Sequence, residues 1–194
     1  MENIIFISSL LILFLPLVSF VLQLTIAKKL DKKSHLLPLF IIGITLILSI
    51  YIFCNMIIGH LHPINISGNW FSTTALSISL GIHIDSITAI MLLVVALISF
   101  LVHLYSTEYM KGDKRYDRYF AFLGLFTFSM NGIVLSDSLF MMYLFWELVG
   151  LSSFLLIGFW FEKDSAANAS KKAFLTNRVG DIGMFIGMMI IFYH

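Results

Sequence analysis

Ser138-Leu-Phe-Met-Met-Tyr-Leu-Phe-Trp146-Glu147-Leu-Val-Gly150-Leu-Ser152-Ser153-Phe-Leu-Leu-Ile-Gly158-Phe-Trp160-Phe161 is an apolar run with one carboxylate about nine residues from its start. A second run begins near Ala173. It carries Asn177-Arg178-Val179-Gly180-Asp181, and Asp181 again lies about nine residues in. About 20 apolar residues make a helix that crosses a bilayer. A carboxylate near the centre of such a helix costs roughly 2.5–3.5 kcal/mol on insertion scales. Ionisable groups kept in two neighbouring helices therefore point to use rather than tolerance.

The surrounding composition agrees. The 194 residues are 59% hydrophobic and 12% charged, and the mean hydropathy is +0.97. Soluble domains run near 45–50% apolar and about 25% charged. This is the composition of an integral membrane protein, with length for about six spans. A net charge of +1 offers no nucleic-acid surface. Cys54 is the only cysteine and lies in an apolar run, so it can build no intrachain disulfide, iron–sulfur cluster or zinc knuckle. The first apolar run follows Met1-Glu2-Asn3 at once, and Lys28, Lys29, Lys32 and Lys33 come after it. A secretory leader carries its positive charges first. The run reads as a retained helix that starts outside and ends inside.

Six spans are expected, at about 4–26, 36–58, 86–105, 119–135, 138–161 and 173–193. Pro16 falls inside the first as a candidate kink, and Pro38 in the first turn of the second, where its missing N–H is harmless. Only the Ser136-Asp137 step separates the fourth from the fifth, which predicts a tight helical hairpin. Of the 12 Lys and Arg, four lie in 28–33, four in 111–118 and three in 163–172; the remaining one is Arg178. Six spans put those three loops on one side, and the opposite loops, 59–85 and 136–137, contain no Lys or Arg. The positive-inside bias makes the basic side cytoplasmic or matrix-facing and puts both termini on the outer side. Within 59–85, Leu76, Ile78, Leu80, Ile82 and Ile84 alternate with Ser77, Ser79, Gly81 and His83. That period of two predicts a β-strand or hairpin packed on helix ends or a neighbouring subunit.

Two readings of Glu147 stand. As a proton site, burial would favour its neutral form and a cation on a facing helix its charged form. As structural glue, it would be a neutral acid hydrogen-bonded across helices. Arg178 and Asp181, three apart, share a helical face, and Asn177 adds a donor on it. They are either a self-satisfied pair that fixes packing or a pair that tunes a nearby acid such as Glu147. Gly180, Gly183 and Gly187, with Gly150 and Ser153 on the fifth helix, read as packing devices. His103, near the inner end of the third helix, is a candidate proton relay or a solvated interfacial residue. His60, His62 and His83 in the outer loop find no carboxylate or cysteine to complete a metal site. Asn65-Ile66-Ser67 and Asn168-Ala169-Ser170 are formal sequons. There is no phosphate loop, nucleotide fingerprint or haem or flavin attachment motif, so any redox chemistry belongs to partners.

The stretch Phe145-Trp146-Glu147 through Gly158-Phe-Trp160 closely resembles the signature around the key glutamate of the antiporter-like subunits of respiratory complex I. Lys172-Ala173-Phe174 and Asn177-Arg178-Val179-Gly180-Asp181 narrow the resemblance to subunit L, or chain 5, of NADH:quinone oxidoreductase. His103-Leu-Tyr105-Ser106, Glu108-Tyr109-Met110 and Asp137 fit as well, and the likeness runs from about Trp70 to the end. It implies an all-α polytopic membrane subunit at the distal end of the membrane arm, built on two inverted five-helix repeats. On that scheme 1–118 is an N-terminal unit of three helices with the outer β loop, and 119–194 is the first three helices of the first repeat.

The resemblance makes Glu147 the essential acid of the first proton half-channel and Asp181 an important acid on the next helix. Arg178 matches by position. Protons would cross by protonation and release of Glu147, coupled to electron transfer from NADH to quinone. NADH and quinone would be bound by other subunits, and this chain would carry no cofactor. Its partners would be the other membrane subunits and the lipid of a bacterial inner or mitochondrial inner membrane. Family members are much longer. The likeness therefore implies an incomplete antiporter-like fold (a fragment, a split gene product or a degraded copy) that does not complete a proton path alone. The alternatives are a subunit of a Mrp-type cation/proton antiporter or of a related hydrogenase or carbon-uptake complex, and a truncated scaffold that conducts nothing.

Overall fold

The computed structural model describes residues 2–25, 35–59, 61–72 and 77–193. The lysines at 28–33, His60 and Leu76 lie outside them. Six long helices run in order: α1 (Glu2–Thr25), α2 (Leu36–Phe53, continued by a π turn over Cys54–Ile58), α3 (Ser86–Tyr109), α4 (Tyr116–Leu135), α5 (Leu139–Ile157) and α6 (Asp164–Tyr193). All six are long and apolar enough to cross a membrane. Between α2 and α3 stands an antiparallel hairpin of β1 (Ile64–Ser72) and β2 (Ser77–Ile84). The fold is the all-α membrane architecture with one small sheet that the sequence predicts.

Several ends differ from expectation. Helix α5 stops at Ile157 rather than 161, because Gly158 caps it and Trp160 turns to bond the α3–α4 loop. Helix α6 starts at Asp164 rather than 173. Asp164 sits in its first turn, where a carboxylate suits the helix dipole. The N–H groups of Ala166 and Ala167 both bond the Lys163 carbonyl. These opening turns are polar, so a reading of apolar runs passes over them. At 30 residues α6 is about 45 Å long, more than a bilayer's hydrocarbon thickness. Helices α3 and α4 likewise reach to 109 and back to 116 rather than 105 and 119.

Contacts sort the loops into two ends. At one end Ile82 of β2 bridges Ser136, and the Ser138 hydroxyl, which caps α5 by accepting from Met141 N–H, donates to the Ser79 carbonyl at 3.0 Å. Ile64, Ile82 and Ile84 enter the core against Ile5, Ile12, Ile52, Met56, Leu92 and Leu135. Trp70 stacks on Phe140 at 6.1 Å between ring centroids. The expected hairpin is thus seated on helix ends.

At the other end Arg115 grips Glu162 with two 2.7 Å hydrogen bonds. The Trp160 indole donates to Asp113 at 2.9 Å, and His35 meets Tyr116 edge-on at 5.9 Å. The described basic loops therefore share one end and the hairpin occupies the other.

The core is centred on α4. Over its most apolar window 56% of residues are buried, against 11% in α5 and in α6. It packs on α1 at Gly124, where an added Cβ would come 3.0 Å from the Pro16 carbonyl oxygen. Helix α1 runs unbroken through Pro16, whose ring nitrogen has no hydrogen to give the Ile12 carbonyl four residues back. Asn131 of α4 supplies the missing donor, its Nδ2 lying 3.0 Å from the Ile12 oxygen, with both residues fully buried. Away from water such a carbonyl must find a partner in the protein. Next to Asn131, about a quarter turn around α4, Gly132 leaves room for the Phe145 ring of α5, which an added Cβ would overlap.

Asn131→Leu should therefore destabilise the bundle by about 1–3 kcal/mol, the scale of an orphaned buried acceptor. In a Pro16→Ala background the N–H restored at position 16 serves the Ile12 carbonyl, and the same substitution should cost clearly less. Thermal unfolding of the four variants in detergent checks this.

The strap at the basic end gives a pH prediction. Burial pushes the Asp113 carboxyl up, but the bonds from the Trp160 indole and the Arg115 N–H, with the Arg115 charge, bring it below its ordinary value overall. Glu162 is lowered first by its bond from Arg115. A lowered acid contributes stability above the unfolded value and loses it as pH falls through the folded one. The Trp160 emission, identified as the component missing in Trp160→Phe, should be constant from pH 8 to 5. It should shift only below about pH 4.

Candidate functional site

Helices α5 and α6 form an antiparallel pair with one stripe facing across it. Tyr143 meets Phe185 at 5.8 Å between ring centroids, and Phe154 meets Phe174 at 5.4 Å. Gly158 lies against Ser170. Spacings of four and eleven along each helix keep these residues on one face. The same register brings residues 146–147 opposite residues 178–181, the two charged patches singled out in the sequence.

Arg178 Nη1 donates to Glu147 Oε2 and lies 3.7 Å from Asp181 Oδ2. The guanidinium also lies over the Phe174 ring, 4.7 Å from its centroid. The Trp146 indole donates to the other Asp181 oxygen at 3.1 Å. The structure thus brings Glu147, Arg178 and Asp181 together, with one cation between two carboxyl groups. Side-chain exposure is 21% for Glu147, 40% for Arg178 and 8% for Asp181, so the seam closes over Asp181 and leaves Arg178 open on its far side. Trp146 is the member that sequence reading missed. Its place one residue before Glu147 was the available signal. Asn177 is exposed.

His103 is elsewhere. It is buried in the α3–α4 interface, with Nδ1 2.8 Å from the Ser99 carbonyl oxygen. That bond makes Nδ1 the protonated nitrogen. Ser99 in turn bonds Thr127 at 2.7 Å, and the imidazole lies beside Phe120. Nε2 has no hydrogen-bond partner among the described residues. No hydrogen bond there joins His103 to Glu147, Arg178 or Asp181.

The remaining candidates stay apart as well. His62 is exposed, and His83 sits 3.8 Å from Asp85. No group of three His, Cys, Asp or Glu that could hold a metal occurs among the described residues. Cys54 is free and exposed in the π turn. Gly150, Gly180, Gly183 and Gly187, expected as packing devices, have open space where a Cβ would point. The two sequons fall on β1 and within α6.

Comparison with known proteins follows the same lines. The family model for the N-terminus of NADH-ubiquinone oxidoreductase (complex I) chain 5 matches residues 70–120. The model for the transmembrane part of NADH:quinone oxidoreductase and Mrp antiporters matches residues 136–194. The chloroplastic NAD(P)H-quinone oxidoreductase subunit 5 of Chlorokybus atmophyticus is 47% identical over 153 residues, 79% of this chain and 23% of that one. The corresponding protein of Angiopteris evecta is 44% identical over 162 residues, 84% of this chain and 21% of that one. The chain thus spans about a fifth to a quarter of the length of these relatives. A chain of a membrane-bound sulfane sulfur reductase, an archaeal respiratory membrane complex, superposes with a TM-score of 0.79 at 20% identity. The superposition covers 92% of this chain and 36% of that one, and it shows the likeness of fold.

The indole–carboxylate bond is open to measurement. Interhelical hydrogen bonds in membranes average about 0.6 kcal/mol and reach about 1.7. A double-mutant cycle of Trp146→Phe and Asp181→Ala, read by unfolding in detergent, should give a coupling in that range. A coupling indistinguishable from zero would remove Trp146 from the site.

Proposed function

The chain belongs to the chain 5 family of NADH:quinone oxidoreductase, and from that premise we propose that it carries a proton-translocating step of that complex's membrane arm. Glu147 is the group that takes up and releases the proton. Arg178 and Asp181 set when it does so. The single observation that carries this reading is the charge count at the α5–α6 seam: one guanidinium is shared by two carboxyl groups on helices that cross the membrane. With both acids ionised the site holds one uncompensated negative charge where desolvation is costly. One bound proton cancels it. With the guanidinium against Glu147 the two groups form an ion pair across the seam. When the guanidinium turns toward Asp181, within the 3.7 Å that already separates them, Glu147 is left to take a proton. The site thus couples protonation to the position of one cation, and any field that moves the cation moves the proton.

On this reading electron transfer from NADH to quinone takes place on other subunits, and this chain contributes no redox centre. Residues 1–118 form the N-terminal unit, and 119–194 the opening helices of an antiporter-like repeat. The basic loops face the cytoplasm or matrix, and His103 is a secondary relay at the α3–α4 interface. The printed description of the second family model also names Mrp antiporters, so a cation/proton exchanger is the second reading. The names of the relatives favour the first.

In the full-length parent complex in liposomes, Glu147→Gln should lower NADH-driven proton uptake by on the order of a hundredfold, the scale of losing a positioned proton-transfer group. Glu147→Asp should be milder, and exchanging sodium for potassium should change nothing. Unaltered pumping in Glu147→Gln would end the assignment. Dependence on one of those cations would transfer it to the exchanger.

A further inference from the structure

A cavity of about 320 Å³ opens at the basic end, between α4, the end of α5 and the first turns of α6. It takes no part in the Glu147 site. Its walls are chiefly apolar, with Phe122, Phe154, Phe159 and Phe161 the largest apolar groups. Three cations line it: Arg115, Arg118 and Lys171. Arg115 is engaged by Glu162. Arg118 and Lys171 are exposed and have no ion-pair partner among the described residues.

The vertical order matters. Arg118 lies in the first turn of α4, and Phe122, four residues on, lies one turn deeper on the same face. Lys171 stands near the close of the polar opening stretch of α6, 164–172, and the apolar part follows from Ala173. Arg118 and Lys171 thus stand toward the polar ends of their helices, and the Phe122 and Phe154 rings stand deeper. The volume holds on the order of ten methylene-sized groups, taking the space of a liquid water molecule for each.

A ligand that fits has an anionic head and an apolar tail, entering head last from the lipid side. We infer that this cavity binds an anionic glycerophospholipid, its phosphodiester between Arg118 and Lys171 and the upper part of one acyl chain against Phe122 and Phe154. Basic pockets between helices on the positively biased side are where anionic headgroups collect. Two unpaired cations suffice for a preference over zwitterionic lipid of on the order of tenfold to thirtyfold.

The test is native mass spectrometry of the chain purified in a nonionic detergent, titrated with phosphatidylglycerol, with phosphatidylcholine of the same chains, and with inorganic phosphate. Phosphatidylglycerol should bind at least tenfold more tightly than phosphatidylcholine, and inorganic phosphate should not displace it. Arg118→Gln with Lys171→Gln should abolish the preference, and Arg118→Lys with Lys171→Arg should keep it. Lys111→Gln with Lys114→Gln removes equal charge outside the cavity and should leave the preference intact. Equal binding of the two lipids, or a preference that survives the Arg118 and Lys171 glutamine pair, overturns the inference. So does displacement by phosphate alone, or a preference lost equally with Lys111 and Lys114.

Discussion

A backbone polar group in this bundle must find its partner inside the protein, because the medium around it supplies none. The Asn131 bond to the Ile12 carbonyl is where that constraint bites hardest. Pro16 opens a gap in the hydrogen-bond ladder of α1, and the only remedy is a donor from another helix. The remedy fixes α4 against α1 in depth and rotation. With α4 placed, Gly132 decides how closely Phe145 and hence α5 can approach. The same rule governs the hydroxyls: Thr45, Ser49 and Ser129 each turn back to a carbonyl three or four residues earlier on their own helix. They satisfy themselves locally and leave the inter-helix surfaces to apolar packing.

The α5–α6 seam answers the same constraint in another way. Four of its groups, Trp146, Glu147, Arg178 and Asp181, satisfy one another across two helices, yet their charges do not cancel. A seam needed only for packing would be met by a one-to-one ion pair or by none, since apolar replacement of buried ion pairs is often neutral or stabilising. On the proposed reading, two carboxyl groups that share one guanidinium make a site with more than one state. The openness of Arg178 fits this, because a guanidinium clamped on all sides could not change partner.

Much of this was legible in the sequence because membranes simplify the code. Six apolar runs gave six helices, and the sorting of Lys and Arg anticipated which described loops share an end. The period of two in 77–84 gave the hairpin. The register of Glu147 with Arg178 was legible only as a possibility. Each patch could be located along its own helix, but the pairing depends on where the α5–α6 turn sits. That turn was misplaced, because Gly158 ends one helix early and the polar residues 164–172 begin the next one early. Trp146 was hidden for a similar reason: an aromatic in an apolar run looks like lipid-facing bulk until the facing helix presents an acceptor. His103 was readable as a titratable group but not as a member of a separate cluster. Its neighbours Ser99 and Thr127 are 28 residues apart in the chain.

The two ends of α5 are held differently from its partner. At the hairpin end, Ser138 is tied to Ser79 and Ser136 to Ile82. At the basic end, Trp160 and Glu162 just beyond it are tied to Asp113 and Arg115. Along its length α5 also leans on α4 through Phe145 and Phe128. Glu147 therefore rides on a helix fixed at top, bottom and side. Helix α6 packs on α5 along a single stripe, and its small-residue positions Gly180, Gly183 and Gly187 meet nothing. On the proposed reading, a small rotation of α6 would carry Arg178 and Asp181 together past Glu147, so that the acid keeps its place on α5 while its electrical surroundings change.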